Sequence, residues 1–257
     1  MLTTRPLRKV AVPARLNTLD PVGDNIPSIF EGQRDLQTST QRKSSGVSPR
    51  MPLQNAPNIL HVGCGSKAPA RLHEFFRRSA WNEVRCDIDP ENKPDIVASI
   101  TNLRNSVEDA SCDAIWASHI LEHLSRHEVP QALGEFVRVL SPSGFALMRS
   151  PDIEAVAQFI LEGRIADVIY TSPAGPITPL DMIYGHGAAI AQQKHAMRHG
   201  TAFTQGLLGN DLLDAGFSEV RTTRTKTYEV WAVAFMPEAD IDGILLELAQ
   251  TGIDFRN

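Results

Sequence analysis

Cysteine is scarce in this chain: Cys64, Cys86 and Cys112 are the only three in 257 residues, and no two form a C-x-x-C pair. An odd, scattered set argues against a disulfide framework and suits a reducing compartment, so a cytoplasmic location is expected. Long apolar runs are missing too. The longest beside a strand signal covers residues 230–236, far short of the roughly 20 residues that span a bilayer, so no membrane helix is expected. Nor is there a surplus of positive charge. The net charge is −5, which gives no global electrostatic reason to bind nucleic acid. What is present is ordinary for a globular protein: 42% hydrophobic and 21% charged residues, in a chain long enough to bury a sizeable core.

Composition changes near residue 57. Residues 1–56 hold eight Lys/Arg against four Asp/Glu and six of the 17 prolines, together with the polar run QTSTQRKSSGVS at 37–48. Few apolar positions recur there with a helical or strand period, so residues 1–56 read as a flexible basic arm. Its first 16 residues are basic without an acid, but Pro6 and Pro13 spoil the amphipathic helix of a transit peptide.

From residue 58 the pattern alternates between strand and helix. Strands are expected at 58–62, 83–87, 95–98, 113–118 and 144–149, and helices at 69–80 and 127–140. A helix at 204–215 stops at Gly216, runs 220–227 and 229–236 are spaced as an antiparallel hairpin with the Thr-rich run at an edge, and a last helix covers 239–249. Strands interleaved with helices predict a Rossmann-like, doubly wound, mostly parallel α/β sheet ending in an antiparallel hairpin. Residues 57–257 would form this domain, with an insertion at about 152–203, broken by Pro173, Pro176 and Pro179. An insertion there falls beside the carboxyl ends of the strands, where such sheets bind ligands.

The first strand runs directly into His61-Val62-Gly63-Cys64-Gly65-Ser66. Glycines at 63 and 65 permit a tight turn and a close backbone approach to a ligand. Asp87 ends the second strand, where a carboxylate can accept bonds from both hydroxyls of a ribose. The ordered set of strand, glycine turn, helix, strand and acid points to a nucleoside. Which nucleoside stays open on these residues, because Gly63-x-Gly65-x-x-Ala68 also reads as a degenerate dinucleotide fingerprint.

Taken together, HVGCGS at 61–66, RCDIDP at 85–90, VASITNL at 97–103, SCDAIWASHILEHL at 111–124 and EFVRVLSPSGFALMRSPD at 135–152 resemble the class I S-adenosylmethionine-dependent methyltransferases, specifically the methyltransferase type 11 group. A softer resemblance to small methyltransferases covers 184–236, through YGH, HGTAF and LLDAGF. The resemblance implies that Gly63 and Gly65 line the methionine and ribose end of S-adenosylmethionine. It implies that Asp87 binds the ribose hydroxyls and Ile88 packs on the adenine. Ser99 and Ile100 occupy the loop at the adenine edge, and Ser118 lies near the methionine moiety. Two positions depart from the family. His61 stands where an Asp, Glu or Asn commonly helps hold the cofactor's ammonium, and Ser99 stands where an adenine-reading Asp is common. Each such loss removes a hydrogen bond, typically about 1–3 kcal/mol. The function implied is methyl transfer to an unidentified small-molecule acceptor. The alternatives are a cofactor-binding partner protein without activity, and an NAD-dependent oxidoreductase. The basic arm leaves a macromolecular partner as a second option.

His123 reads as a brace for the helix after the fourth strand. Glu122 and His123, with His119 and His127 nearby, have the look of a metal cluster, but only Glu122 offers oxygen and no fourth ligand has suggestive spacing, so no metal is assigned. Cys64 and Cys86 read as small apolar residues beside the cofactor pocket. In the 152–203 insertion, His199 or His186 is the candidate general base, and Tyr184 together with His119 is expected to face the substrate. The histidines read equally well as ordinary surface or capping contacts.

Overall fold

The computed structural model describes residues 56–255. The basic arm, apart from its last residue, lies outside them. The core is one seven-stranded sheet. Its first five strands are Asn58–Val62 (β1), Asn82–Asp87 (β2), Ile96–Val97 (β3), Cys112–Ser118 (β4) and Leu140–Pro151 (β5), all parallel. Beyond residues 152–203, whose two short strands β6 (Tyr170–Ser172) and β7 (Gly175–Ile177) stand apart from this sheet, come Glu219–Arg224 (β8) and Glu229–Phe235 (β9). β9 lies antiparallel to β5, and β8 lies antiparallel to β9, giving the order β3-β2-β1-β4-β5-β9-β8. The fold is therefore a Rossmann-like, mostly parallel sheet with an antiparallel C-terminal hairpin. The Thr-bearing strand β8 is its edge.

The two faces follow from the alternation of side chains along each strand. Ile59, Trp116, Phe145, Leu147, Trp231 and Phe235 face one way and pack with Phe75 and Phe76 of Glu74–Arg78 (α1) and with Leu245 and Leu248 of Ile241–Ala249 (α7). Their neighbours Leu60, Val62, Ile115, Ala117, Met148 and Ala232 face the other way, onto Leu133 and Phe136 of Val129–Val139 (α2) and Leu208 and Leu212 of Gln205–Ala215 (α6). Each fully buried Leu or Phe among them contributes about 1.5–3 kcal/mol of hydrophobic stabilisation. Thr204 caps α6, its side chain accepting the Leu207 N–H, and Gly216 ends the helix at φ +111°.

Three local differences from the sequence reading have physical causes. The helix expected at 69–80 is broken. Pro69–Arg71 forms a 3-10 turn and α1 begins only at Glu74, because the Arg71 carbonyl is taken by the Trp116 indole N–H at 2.8 Å and His73 accepts the Phe75 N–H as an N-cap. β5 starts at Leu140 instead of 144. Leu140 pairs with Cys112, and the Ser-Pro-Ser-Gly segment is a bulge before Phe145 pairs with Ala114. Finally, residues 152–203 are structured throughout much of their length. They hold Ile153–Leu161 (α3), a small hairpin of Tyr170–Ser172 (β6) and Gly175–Ile177 (β7), Pro179–Tyr184 (α4) and Gly187–Ala191 (α5). These pieces pack around Val156, Ile177 and Met182. A bridge between Asp152 and Phe203 closes the segment on itself at the carboxyl end of β5. No helix among the described residues is long and apolar enough to cross a membrane.

Candidate cofactor and acceptor site

Strand order reverses around β1, whose neighbours are β2 and β4, so a crevice opens at the carboxyl ends of these strands. Gly63 and Gly65 make the turn there with φ +59° and +58°, a region that costs other residues about 1–2 kcal/mol. β2 clamps this turn from the side. Asp87 accepts the Gly65 N–H at 2.7 Å through Oδ2 and the Asp89 N–H at 2.9 Å through Oδ1, while the Arg85 guanidinium donates to the Gly65 carbonyl. Asp87 is buried, but each of its oxygens keeps a further lone pair for a ligand hydroxyl.

Beside it, Ile88 is 63% exposed and Val97 is 56% exposed. Two large apolar side chains are thus left in water next to a carboxylate. Ile100 is buried in the core below, and Ser99 shares a 2.8 Å hydrogen bond with Thr101. His61 is 3% exposed, and its Nδ1 lies 2.7 Å from Glu83 Oε1. The bond to His61 holds the Glu83 carboxyl below the usual range. His61 also lines a cavity of about 250 Å³ on the α1 side of the turn, with Cys64, Lys67, Arg71 and Glu83; Asp87, Ile88 and Ser118 do not line it. Pro69 begins only a 3-10 turn, so no α-helix N-terminus directly follows the glycines to seat a pyrophosphate.

The carboxyl ends of β4 and β5 and the amino end of β9 carry a second group. His119 follows β4 with φ +53° and both ring nitrogens engaged, Nδ1 with Glu122 at 3.1 Å and Nε2 with Glu229 at 2.8 Å. Burial opposes its charge, but the bonds to the two carboxylates outweigh that and raise its pKa to about 9. Glu122 is buried, which by itself would raise its pKa; the bond to His119 brings it below the ordinary range. Arg149 joins the network. It donates to Ser118 Oγ at 2.8 Å and pairs with Glu229 at 3.2 Å, and its guanidinium lies over the rings of Trp231 and Trp116.

The 152–203 segment meets this network through Glu122, whose carbonyl accepts the Gly200 and Thr201 N–H groups. His199 is thereby set beside His123, with ring centroids 5.0 Å apart. Burial lowers its pKa. Tyr184 is 65% exposed, and its carbonyl accepts the His199 N–H. His186 sits at the N-cap of α5 without a side-chain cap bond, facing the charge of Asp181. Thus the fold gathers Gly63, Gly65, Asp87 and Ile88 in one place, and Ser118, His119 and His199 around Glu122 and Arg149 in another. His123 braces the 152–203 segment through the Arg198 carbonyl and not the helix that follows it. Sequence reasoning missed Arg85, Arg149 and Glu229. The second partner of His119, Glu229, lies 110 residues away, and no local pattern announces such a pairing.

Residues 60–148 match the family described as a methyltransferase domain, a span that runs from β1 into β5. No curated protein matches the chain. Among solved structures, a protein from Pyrococcus horikoshii is 15% identical with a TM-score of 0.48, over 72% of this chain and 84% of that one. A SAM-dependent methyltransferase from Archaeoglobus fulgidus is 13% identical with a TM-score of 0.46, over 70% and 86%. The 1,6-didemethyltoxoflavin-N1-methyltransferase of Burkholderia thailandensis, solved with S-adenosylhomocysteine, is 13% identical with a TM-score of 0.43, over 70% and 71%. The glycine turn and the acid at the end of β2 both lie inside the matched span, and residues 60–148 are a class I S-adenosylmethionine-dependent methyltransferase domain.

Proposed function

We propose that this methyltransferase acts in the cytoplasm on a small-molecule acceptor held between the carboxyl ends of β4 and β5 and the 152–203 segment. The observation that carries the reading is the juxtaposition, at one end of the sheet, of the Gly63–Gly65 turn, the Asp87 carboxylate and exposed Ile88. S-adenosylmethionine supplies an electrophilic sulfonium methyl when bound. The chain's task is then orientation and exclusion of water, and pre-alignment alone can supply about 7–11 kcal/mol. Gly63 and Gly65 admit the ligand close to the backbone, Asp87 holds the ribose hydroxyls, and Ile88 packs on the base with Ser99 and Ile100 at its edge. Ser118 lies toward the methyl, and His61 stiffens the turn from below through Glu83.

Tyr184 and His119 wall the acceptor side. An acceptor hydroxyl or ammonium gives up its proton to an imidazole of the 152–203 segment. His199 comes first, since its Nδ1 is tied to the Met182 carbonyl at 3.0 Å and Nε2 remains to take the proton; His186 is second. The acidic balance of the domain favours a small acceptor over nucleic acid, and a macromolecular partner would be reached through the basic residues 1–56.

Calorimetry with S-adenosylmethionine, S-adenosylhomocysteine and NAD tests the cofactor, and screening acceptors for release of S-adenosylhomocysteine tests the transfer. Once an acceptor is found, His199→Ala and His186→Ala should keep cofactor affinity while turnover falls. Binding of NAD without a response to S-adenosylmethionine would overturn the reading.

A further inference from the structure

We propose that Glu122, His123 and His199 form a binding site for a divalent first-row transition cation of borderline softness, such as zinc or cobalt. One ligand atom from each lies within 4.8 Å of the others. The hydrogen bonds around them decide which atoms are on offer. His123 Nδ1 is 3.0 Å from the Arg198 carbonyl, and His199 Nδ1 is 3.0 Å from the Met182 carbonyl. A carbonyl oxygen only accepts, so both Nδ1 atoms carry the hydrogen, and each neutral ring keeps its lone pair on Nε2. Imidazole ligands of metals are oriented in this way, with the other ring nitrogen donating to a backbone carbonyl or carboxylate.

The third group is a buried carboxylate. Glu122 accepts from Ser150 Oγ at 3.0 Å through Oε2 and from His119 through Oε1, and each oxygen keeps a lone pair. The Glu122 carbonyl meanwhile accepts the N–H groups of Gly200 and Thr201, so one residue both offers a ligand oxygen and fixes the segment that delivers His199. Sequence spacing hid this set, because His199 lies 77 positions beyond Glu122.

Two imidazoles and one carboxylate select the cation. Magnesium and calcium prefer all-oxygen shells, whereas this donor set suits zinc, iron, cobalt or nickel. Ligand atoms on a four-coordinate zinc lie about 3.4 Å apart, so groups already within 4.8 Å of one another need only a small inward shift to close on the cation. Three protein ligands leave coordination positions for water or for an acceptor oxygen. The link to catalysis rests on the methyl-transfer reading: the cation occupies the His199 lone pair and lowers the pKa of an acceptor hydroxyl in place of the imidazole. Cation binding itself does not depend on that reading.

The test uses the untagged full chain, titrated with Co2+ by visible absorption and with Zn2+ and Mg2+ by calorimetry. Near-stoichiometric Co2+ binding with visible ligand-field bands is expected, together with Zn2+ binding and far weaker Mg2+ binding. His123→Ala and His199→Ala should each weaken Co2+ binding by about 100-fold or more, while His195→Ala, an exposed histidine of the same segment, leaves it unchanged. Because Glu122→Gln could disturb folding, S-adenosylhomocysteine affinity is measured on every variant as a check of the intact domain. The proposal is overturned if wild type fails to bind Co2+ and Zn2+, if the two histidine variants bind as wild type does, or if Mg2+ binds more tightly than Zn2+. A wild type that binds Co2+ but not S-adenosylhomocysteine would sink the methyl-transfer reading and leave the cation site standing.

Discussion

The Asp87 carboxylate accepts the Gly65 N–H at 2.7 Å, so the acid that ends β2 is tied to the turn that ends β1. One side chain thus has two duties, bracing the turn and offering lone pairs to a ribose. Asp87→Asn retains an amide oxygen for one backbone N–H but loses the charge, whereas Asp87→Ala loses both bonds. Cofactor affinity should fall in both variants by roughly 1–3 kcal/mol, and Asp87→Ala should also lower unfolding stability by a similar amount, with Asp87→Asn losing less because it keeps one of the two bonds. Calorimetry and urea titration on the pair read the two effects separately; equal stability loss in both would remove the bracing role.

Ile88 offers the converse case. Being mostly exposed, it contributes little to the core, so Ile88→Asn should shift folding stability by no more than about 0.5 kcal/mol. Affinity for S-adenosylhomocysteine should nevertheless drop, because an apolar face for the base is lost. Unchanged affinity in this variant would place the adenine elsewhere.

Gly63 is constrained twice. Its φ of +59° disfavours any Cβ, and a Cβ built there would lie 2.7 Å from Ile120 Cδ1. Gly63→Ala should destabilise the domain by at least about 1–2 kcal/mol from the backbone alone. Adding Ile120→Ala removes both Cδ1 and the Cγ1 that would lie at 2.8 Å, and relative to Ile120→Ala alone the double variant should recover only the steric part. Full recovery in the double variant, measured by thermal unfolding, would show that the backbone conformation costs nothing.

His73 gives a pH dependence with a definite sign. It lies 5.2 Å from the Trp116 ring and 5.3 Å from that of Trp231, and burial together with the charge of Arg149 lowers its pKa to about 4; Glu74 works against this, while Arg77 and Arg78 add to it. The unfolded chain binds the proton more readily, so the stability His73 contributes is fully present above about pH 6.5. It is lost as pH falls from there to about 4, by no more than about 3 kcal/mol. Urea midpoints of wild type and His73→Asn, which keeps an N-cap, should converge toward acid pH. Parallel pH profiles of the two proteins would refute the assignment.

His119 bridges two carboxylates, one of them the buried Glu122. Replacing it strands a buried charge, a situation that costs about 3–5 kcal/mol. His119→Ala should therefore unfold at markedly lower urea than wild type. A double variant, His119→Ala with Glu122→Gln, should be less destabilised than His119→Ala alone; if it is more so, the two groups are not coupled.

The strands and the glycine turn were legible because each follows from short-range chemistry. An apolar run that fills both faces of a parallel sheet, two glycines where φ must be positive, and an acid at the next strand end all lie within a few residues of one another or at a regular spacing. The hairpin was legible for the same reason, since β8 and β9 are joined by a four-residue turn. The helix from 69 to 80 was misread because the group that ends it, the Trp116 indole, comes from β4. Bonds across the fold likewise set the roles of the histidines. His119 is held by Glu229 from the last strand, and His199 comes to Glu122 only because residues 198–203 run back along the carboxyl end of β5. Propensity and periodicity act over a turn or a strand, and so they determine the elements and their order; which charges and lone pairs meet at the sheet's end depends on contacts between residues about 75 to 110 positions apart, which only close packing in three dimensions decides.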